Sequence, residues 1–176
     1  MSYSHDSIAP TQPSTAPTIS VDDLAAPWRR IVAGILDGLI LGFPIGFFIG
    51  FWLATTQPES TEDVSIPGAF YFLLSLLAVV YHVVPVALWG QTLGKKIMSI
   101  RVVSAQDLSE PGWWRAIRRW GLYFLIGLIP IIGGIVACIV LPLVGLVMLF
   151  VDPKRQVPHD KVADTIVVND GVHGWA

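Results

Sequence analysis

Arg30 and Asp37 stand seven residues apart at the edge of and inside one apolar run, where a bilayer would tolerate neither alone. Asp37 is the only ionisable residue between Ile31 and Leu53. That run holds about 23 residues, enough to span roughly 30 Å of hydrocarbon as a helix. A carboxylate there costs roughly 2.5–3.5 kcal/mol on insertion scales, so it needs a partner or a task. Two chemistries suit it: a proton- or cation-binding group facing a polar cavity, or half of a buried ion pair that fixes helix register. Arg30 and Asp37 fall within roughly 20° of each other on a helical wheel but about 10.5 Å apart along the axis. Asp37 leans toward Arg30, while Arg30 leans away toward the interface. The reach argues against a direct bond and for a bridging water or a third residue. A single carboxylate makes a poor pathway, which weights the reading toward structure.

Other residues invite chemistry and lose it on inspection. Gly90–Lys96 reads GQTLGKK, but it lacks the four-residue spacer and the Ser/Thr after Lys of a phosphate loop. It reads instead as a tight interfacial turn on Gly90, Gly94 and Lys95, with its lysines meeting anionic lipid. His82 precedes Pro85 by three residues and can donate to a carbonyl that the proline frees, or titrate near neutral pH. His5, His159 and His173 show no metal-ligand spacing. Cys138 is the only cysteine, so no intramolecular disulfide and no Cys-based metal site can form. Trp113, Trp114, Arg115, Arg118, Arg119 and Trp120 read as an interfacial belt rather than a nucleic-acid surface. No catalytic set emerges, and neither an enzyme, a cofactor nor a metal is expected.

The elements that hold these residues follow from composition. Of 176 residues, 53% are hydrophobic and 14% charged, and the mean hydropathy is +0.64. A soluble domain carries about 25% charged residues. The apolar residues fall in blocks, which indicates an integral membrane protein with room for one small helical bundle. Residues 1–26 are rich in Ser, Thr, Pro and Ala and read as a disordered polar tail, not a cleaved signal peptide. Residues 169–176 read as a second tail, leaving 27–168 as the transmembrane domain.

Three apolar blocks follow: Ile31–Leu53, Ala69–Trp89 and the longer Gly121–Val151, which contains Pro130, Gly133, Gly134 and Pro142. As one helix the third block would be about 46 Å long, beyond one ordinary span. Basic residues cluster before the first block, after the second and after the third, while the loop Thr55–Pro67 is acidic. A fold-back near Pro130–Gly134 puts every basic cluster in the cytoplasm, as the positive-inside rule requires. The expected architecture is therefore all-α: a four-helix transmembrane bundle with short last helices, N- and C-termini inside. In that reading Arg118 and Arg119 snorkel to the interface. The competing reading is a single kinked third helix with the C-terminus outside. Ile100–Val103 and Thr165–Val168 are β-branched and turn-flanked, and in the four-helix reading can pair as a small cytoplasmic hairpin or sheet.

Gly34, Gly38, Gly42, Gly46 and Gly50 recur every fourth residue, a spacing that lets another helix backbone approach closely. Pro44 is expected to kink the same helix.

RRIVAGILDGLI, GQTLGKKIMSIRVV, RAIRRW and KRQVPHDKVADTIVV, in that order, resemble the blocks of the RDD family of bacterial membrane proteins. The resemblance covers about residues 27–168. It implies that the family's arginine is Arg30 and its two aspartates Asp37 and Asp160. It also implies a largely uncharacterised function, with transport of unknown ligands suggested and cation/proton exchange proposed for some members. One departure is Val86, where many relatives carry Glu, so the second span lacks a carboxylate and a relay is weakened. Asp160 can reach Arg30 only if both ends of the bundle lie on one side, which favours the fold-back.

The expected protein sits in the bacterial inner membrane with a polar cluster of Arg30, Asp37 and Asp160 at the cytoplasmic end of the first helix. Two functions remain open: a transporter or transporter subunit for a cation or small solute, or a non-enzymatic assembly factor that docks a partner on the glycine face. Its partners are the lipid bilayer and a second copy or another membrane protein, with no nucleic acid.

Overall fold

The computed structural model describes residues 19–56, 68–127 and 136–171. Helix α1 spans Pro27–Thr56 and helix α2 spans Gly68–Trp89. Pro27 opens α1 at the one helical position where a missing N–H costs nothing. The helix runs on through Pro44. Both helices are long and apolar enough to cross a membrane. Phe43, Phe47, Phe51, Phe72 and Leu73 point outward, a greasy exterior that water would not tolerate in one continuous band.

Beyond α2 the chain turns sharply. Gly90 takes φ +67, and a Cβ there would sit 2.9 Å from Cγ of Arg101. Only glycine fits. The short helix α3, Leu93–Ile97, leads into strand β1, Ile100–Ser104. Helix α4 is Gly112–Gly127. A π-helical stretch, Val136–Val140, runs into α5, Leu141–Val151. Helix α6, Pro158–Val162, leads into strand β2, Thr165–Asn169. The described residues are mostly helical, with one two-stranded sheet among them.

The α3–β1 and α6–β2 segments repeat one unit. Each short helix has five residues and enters from an extended residue, Thr92 (φ -85, ψ 171) or Val157 (φ -86, ψ 168). Each leaves through a left-handed residue at φ 52, Ser99 or Asp164, directly before its strand. Helix α3 packs on α1 and α6 packs on α4. The strands pair antiparallel, with Val102 opposite Val167 and Ser104 opposite Thr165, which sets the two units about a pseudo-two-fold axis. The third residue of each short helix is charged, Lys95 in one and Asp160 in the other.

The sheet is the best-buried part of the molecule. Strand residues alternate between faces. Ile100, Val102 and Val167 pack inward with Ala33, Val83, Val86, Ala87 and Ala116 from the helices. Val103, Ile166 and Val168 face the other way, under Leu24 and Leu108. Leu24 bridges to Val168, and the Ala25 N–H donates to the Val167 carbonyl at 3.0 Å.

Those contacts correct the expected domain limits. The tail expected over 1–26 ends sooner, because Leu24 and Ala25 cover the outer face and edge of the sheet. The body also continues past 168, since Asn169 belongs to β2 and Asp170 pairs with Arg101 at 3.2 Å. Both expected strands form, each one residue longer than expected. The fold-back at Pro130–Gly134 and the acidic residues Glu59, Glu62 and Asp63 lie outside the described residues, as do His5 and His173.

Candidate functional site

Asp37 is buried on α1, facing the α2–α3 turn, and three donors converge on it. The Tyr81 hydroxyl donates to Oδ1 at 2.7 Å, the Gly94 N–H to Oδ1 at 2.8 Å, and the Thr92 hydroxyl to Oδ2 at 2.6 Å. Lys95 Nζ lies 4.0 Å from Oδ2. The carboxylate thus ties α1 to both α2 and α3. The approach is close because Gly94 has no side chain. A Cβ there would lie 2.7 Å from Asp37 Oδ1 and overlap the Ala33 carbonyl. The GQTLGKK turn does hold an anion, and that anion is the protein's own Asp37.

Asp160 forms the second centre. Its side chain is fully buried on α6. Oδ2 accepts from Arg30 and from the Val157 N–H at 3.3 Å, while Oδ1 lies 2.7 Å from an Arg119 guanidinium nitrogen in an ion pair. Arg30 also donates to the Arg155 carbonyl, and Arg119 to the Thr165 hydroxyl at 3.2 Å. One carboxylate therefore joins the start of α1, the middle of α4 and the sheet. Burial pushes the Asp160 carboxyl up, but the Arg119 and Arg30 guanidiniums together hold it well below the usual carboxylate range.

His159 extends this centre. Arg119 donates to Nε2 at 3.1 Å, and Nδ1 lies 3.1 Å from the Tyr123 hydroxyl. Burial, outweighing the pull of Asp160 and helped by Arg119 and Arg30, pushes the imidazole down to about 3. The ring is neutral at pH 7. With Nε2 accepting, Nδ1 carries the hydrogen and donates it to Tyr123, which leaves the phenolic hydrogen for another acceptor.

Between the two centres lies a cavity of about 390 Å³. Helix α1 lines it with Gly34, Asp37 and Gly38, and α2 with His82 and Val86. Thr92 and Lys95 close it from the turn and α3, and Ala116, Arg119, Trp120 and Tyr123 from α4. A second cavity of about 190 Å³ shares Gly34, Lys95, Arg119 and His159 with the first and adds Arg30. Burial pushes the Lys95 ammonium down to about 8, with Arg119 adding to the effect and Asp37 opposing it.

Residues 24–164 match the RDD family. The chain belongs to that family. The comparison with curated proteins and the comparison with solved structures each found no match. Together with the two long apolar helices, membership makes this RDD protein a membrane protein.

The structure divides the three residues that the family resemblance grouped. Arg30 and Asp160 pair, whereas Asp37 belongs to a separate centre and makes no bond to Arg30. Lys95 stands between them, because it nears Asp37 and also lines the Arg30 cavity. Gly90 stands in the turn and Gly94 in α3, and Lys95 points inward where an outward lysine was expected. Of the two lysines only Lys96 is exposed.

Two further expectations change. Among the described residues nothing lies within 4 Å of a Cβ built on Gly34, Gly38, Gly42, Gly46 or Gly50, so no described helix packs on that row. Gly34 and Gly38 instead leave open the space that forms the cavity. Arg119 does not snorkel outward; it turns in to Asp160, while Arg118 stays out and pairs with Asp164 at 3.4 Å. The His82 ring does reach a carbonyl, that of Ala78 at 3.1 Å, one turn back along its own helix. Pro85 frees a different carbonyl, that of Tyr81.

Proposed function

We propose that this RDD protein crosses the bacterial inner membrane four times, with both termini in the cytoplasm, and works as a transporter or transporter subunit for a small solute. One observation carries the reading: a cavity among α1, α2 and α4 that Lys95 of one repeated unit and His159 of the other both line. Its walls come from α1, α2 and α3 on one side and α4 and α6 on the other. Transporters built from internal repeats hold substrate at the interface between the repeats. A volume of about 390 Å³ is within the range of small-molecule sites. The four-crossing topology draws support from the pairing of β1 with β2 and from the meeting of Arg30, Arg119 and Asp160, since all belong at one end of the bundle.

Asp37 does not hold the solute in this mechanism. Its two oxygens already receive three hydrogen bonds, which leaves little capacity for a cation. It sets the cavity wall.

The test uses proteoliposomes and a panel of solute gradients. Wild type should carry at least one solute, and Gly34→Leu, which fills the shared wall of both cavities, should abolish that flux. Wild-type vesicles that carry nothing would defeat the reading for the protein alone. A reporter fused after Ala176 should signal from the cytoplasm, and an external signal would overturn the four-crossing topology.

A second reading, docking of a partner or a second copy on α1, is favoured by the open row Gly42, Gly46 and Gly50. It predicts that Gly46→Leu abolishes a crosslinked assembly in native membranes. Unchanged crosslinking would remove it.

A further inference from the structure

We propose that the paired cavities form a phosphate-binding site, taking the phosphate group either of a free phosphate compound or of an anionic lipid headgroup. The inference rests on the solute-cavity reading above and names the chemical class that the cavity accepts.

The charge balance points to an anion. Three cations, Arg30, Lys95 and Arg119, line one or both cavities. Two carboxylates answer them, and neither has capacity to spare. Asp160 lines neither cavity and is consumed by Arg30 and Arg119. Asp37 is consumed by Tyr81, Thr92 and Gly94. One positive charge is left over: Arg30 and Arg119 share the single carboxylate of Asp160, and the contacts of Lys95 are long, 3.3 Å to the Thr92 hydroxyl and 4.0 Å to Asp37. An uncompensated charge in a partly buried site is costly, so a bound anion is favoured there.

The donors agree with the charge. Lys95 has three N–H groups and Arg119 has five, of which the hydrogen bonds to Thr165 and His159 use two, beside the ion pair with Asp160. Tyr123 offers its phenolic hydrogen because His159 supplies the bond to its oxygen. These three side chains line the larger cavity. Arginine and lysine together are what phosphate recognition employs, the one as a fork and the other as a point charge. Val86, Ala116 and Trp120 line the rest, so an apolar tail attached to the phosphate would also find contact.

The experiment uses the full chain in nanodiscs of zwitterionic lipid, titrated with inorganic phosphate by calorimetry. In parallel, nanodiscs containing phosphatidylglycerol are analysed by native mass spectrometry for retained anionic lipid. Wild type should bind at least one of the two. Lys95→Gln should weaken that binding about ten-fold or more, the scale of one lost charged hydrogen bond. Gly34→Leu keeps every charge and should abolish binding by filling the space. Lys154→Gln, on the exposed surface, should bind as wild type does. Phosphate binding identifies a free compound as the source, and lipid retention alone identifies the headgroup. The proposal is overturned if neither probe binds, or if Lys95→Gln binds like wild type. Solute flux that Gly34→Leu stops and Lys95→Gln leaves intact would overturn the phosphate assignment while the cavity reading stands. Melting of each variant shows that it is folded.

Discussion

Arg119 and Asp160 lie 2.7 Å apart, and the opposite oxygen of the same carboxylate holds Arg30. A buried anion between two guanidiniums makes the closing pin of the fold, because it joins α1, α4 and α6. Removing one partner of a buried pair is far more damaging than never having had the pair.

Asp160→Asn should therefore destabilise the protein by about 3–5 kcal/mol, since it leaves two buried guanidiniums facing an amide. Thermal melting in detergent reads this. Asp160→Glu should recover part of the loss. A melting curve unchanged by Asp160→Asn would show the pin to be dispensable.

The Asp37 centre predicts coupling between distant positions. Asp37→Asn should cost about 1–3 kcal/mol by leaving one converging donor unpaired. Gly94→Ala must push α3 off α1, since its Cβ would lie 2.7 Å from Asp37 Oδ1. The double variant should be less damaging than the sum of the singles, because α3 is already displaced. Strict additivity in melting measurements would mean that the two residues do not share a contact.

Acid should weaken the protein in two stages. The folded His159 is pushed down to about 3, so the unfolded chain takes up its proton first. The stability that His159 contributes is complete above about pH 6.5, the ordinary histidine value, and declines as pH falls toward 3. Asp160 adds a second loss below about pH 4, where the unfolded carboxyl protonates before the folded one. Melting temperature against pH should fall from about 6.5 downward. His159→Gln should flatten the upper part of that fall and leave the lower part.

Base should do the reverse at Lys95. Arg119 of α4, Asp37 and Arg30 of α1 and Asp160 of α6 act on its ammonium, and the rings of His82 and His159 line the same cavity. Because the folded value is about 8, the unfolded chain holds the proton between there and about 10.4, and stability should rise with pH across that window. Lys95→Met should abolish the rise. Bound phosphate, which favours the charged lysine, should diminish it.

Much of this could be read from residue types in order. The β-branched stretches at Ile100 and Thr165 announced the strands, and the apolar run around Asp37 announced the first long helix. The partners of Asp37 could not be read, because Tyr81 and Thr92 carry no charge and lie 44 and 55 residues away. Arg118 and Arg119 look equivalent in a basic belt, yet one helical step of about 100° sends one outward and the other to Asp160. Ala116, buried one turn earlier, marks the inward face that Arg119 shares. The glycine row told which face of α1 admits a close approach. It could not tell whether a helix or an empty space lies opposite, since the same spacing serves both.

The pairing of β1 with β2 also bears on how the chain is made. Strand β1 ends about 60 residues before β2 begins, so at about 5–20 residues per second the ribosome needs roughly 3–12 s to deliver its partner. Asp160 arrives in the same late stretch. Throughout that interval Arg30 and Arg119 sit beside the bilayer without their counter-ion. A nascent chain halted before residue 160 would expose an unpaired strand edge and two stranded guanidiniums, a recognisable mark for quality-control proteases.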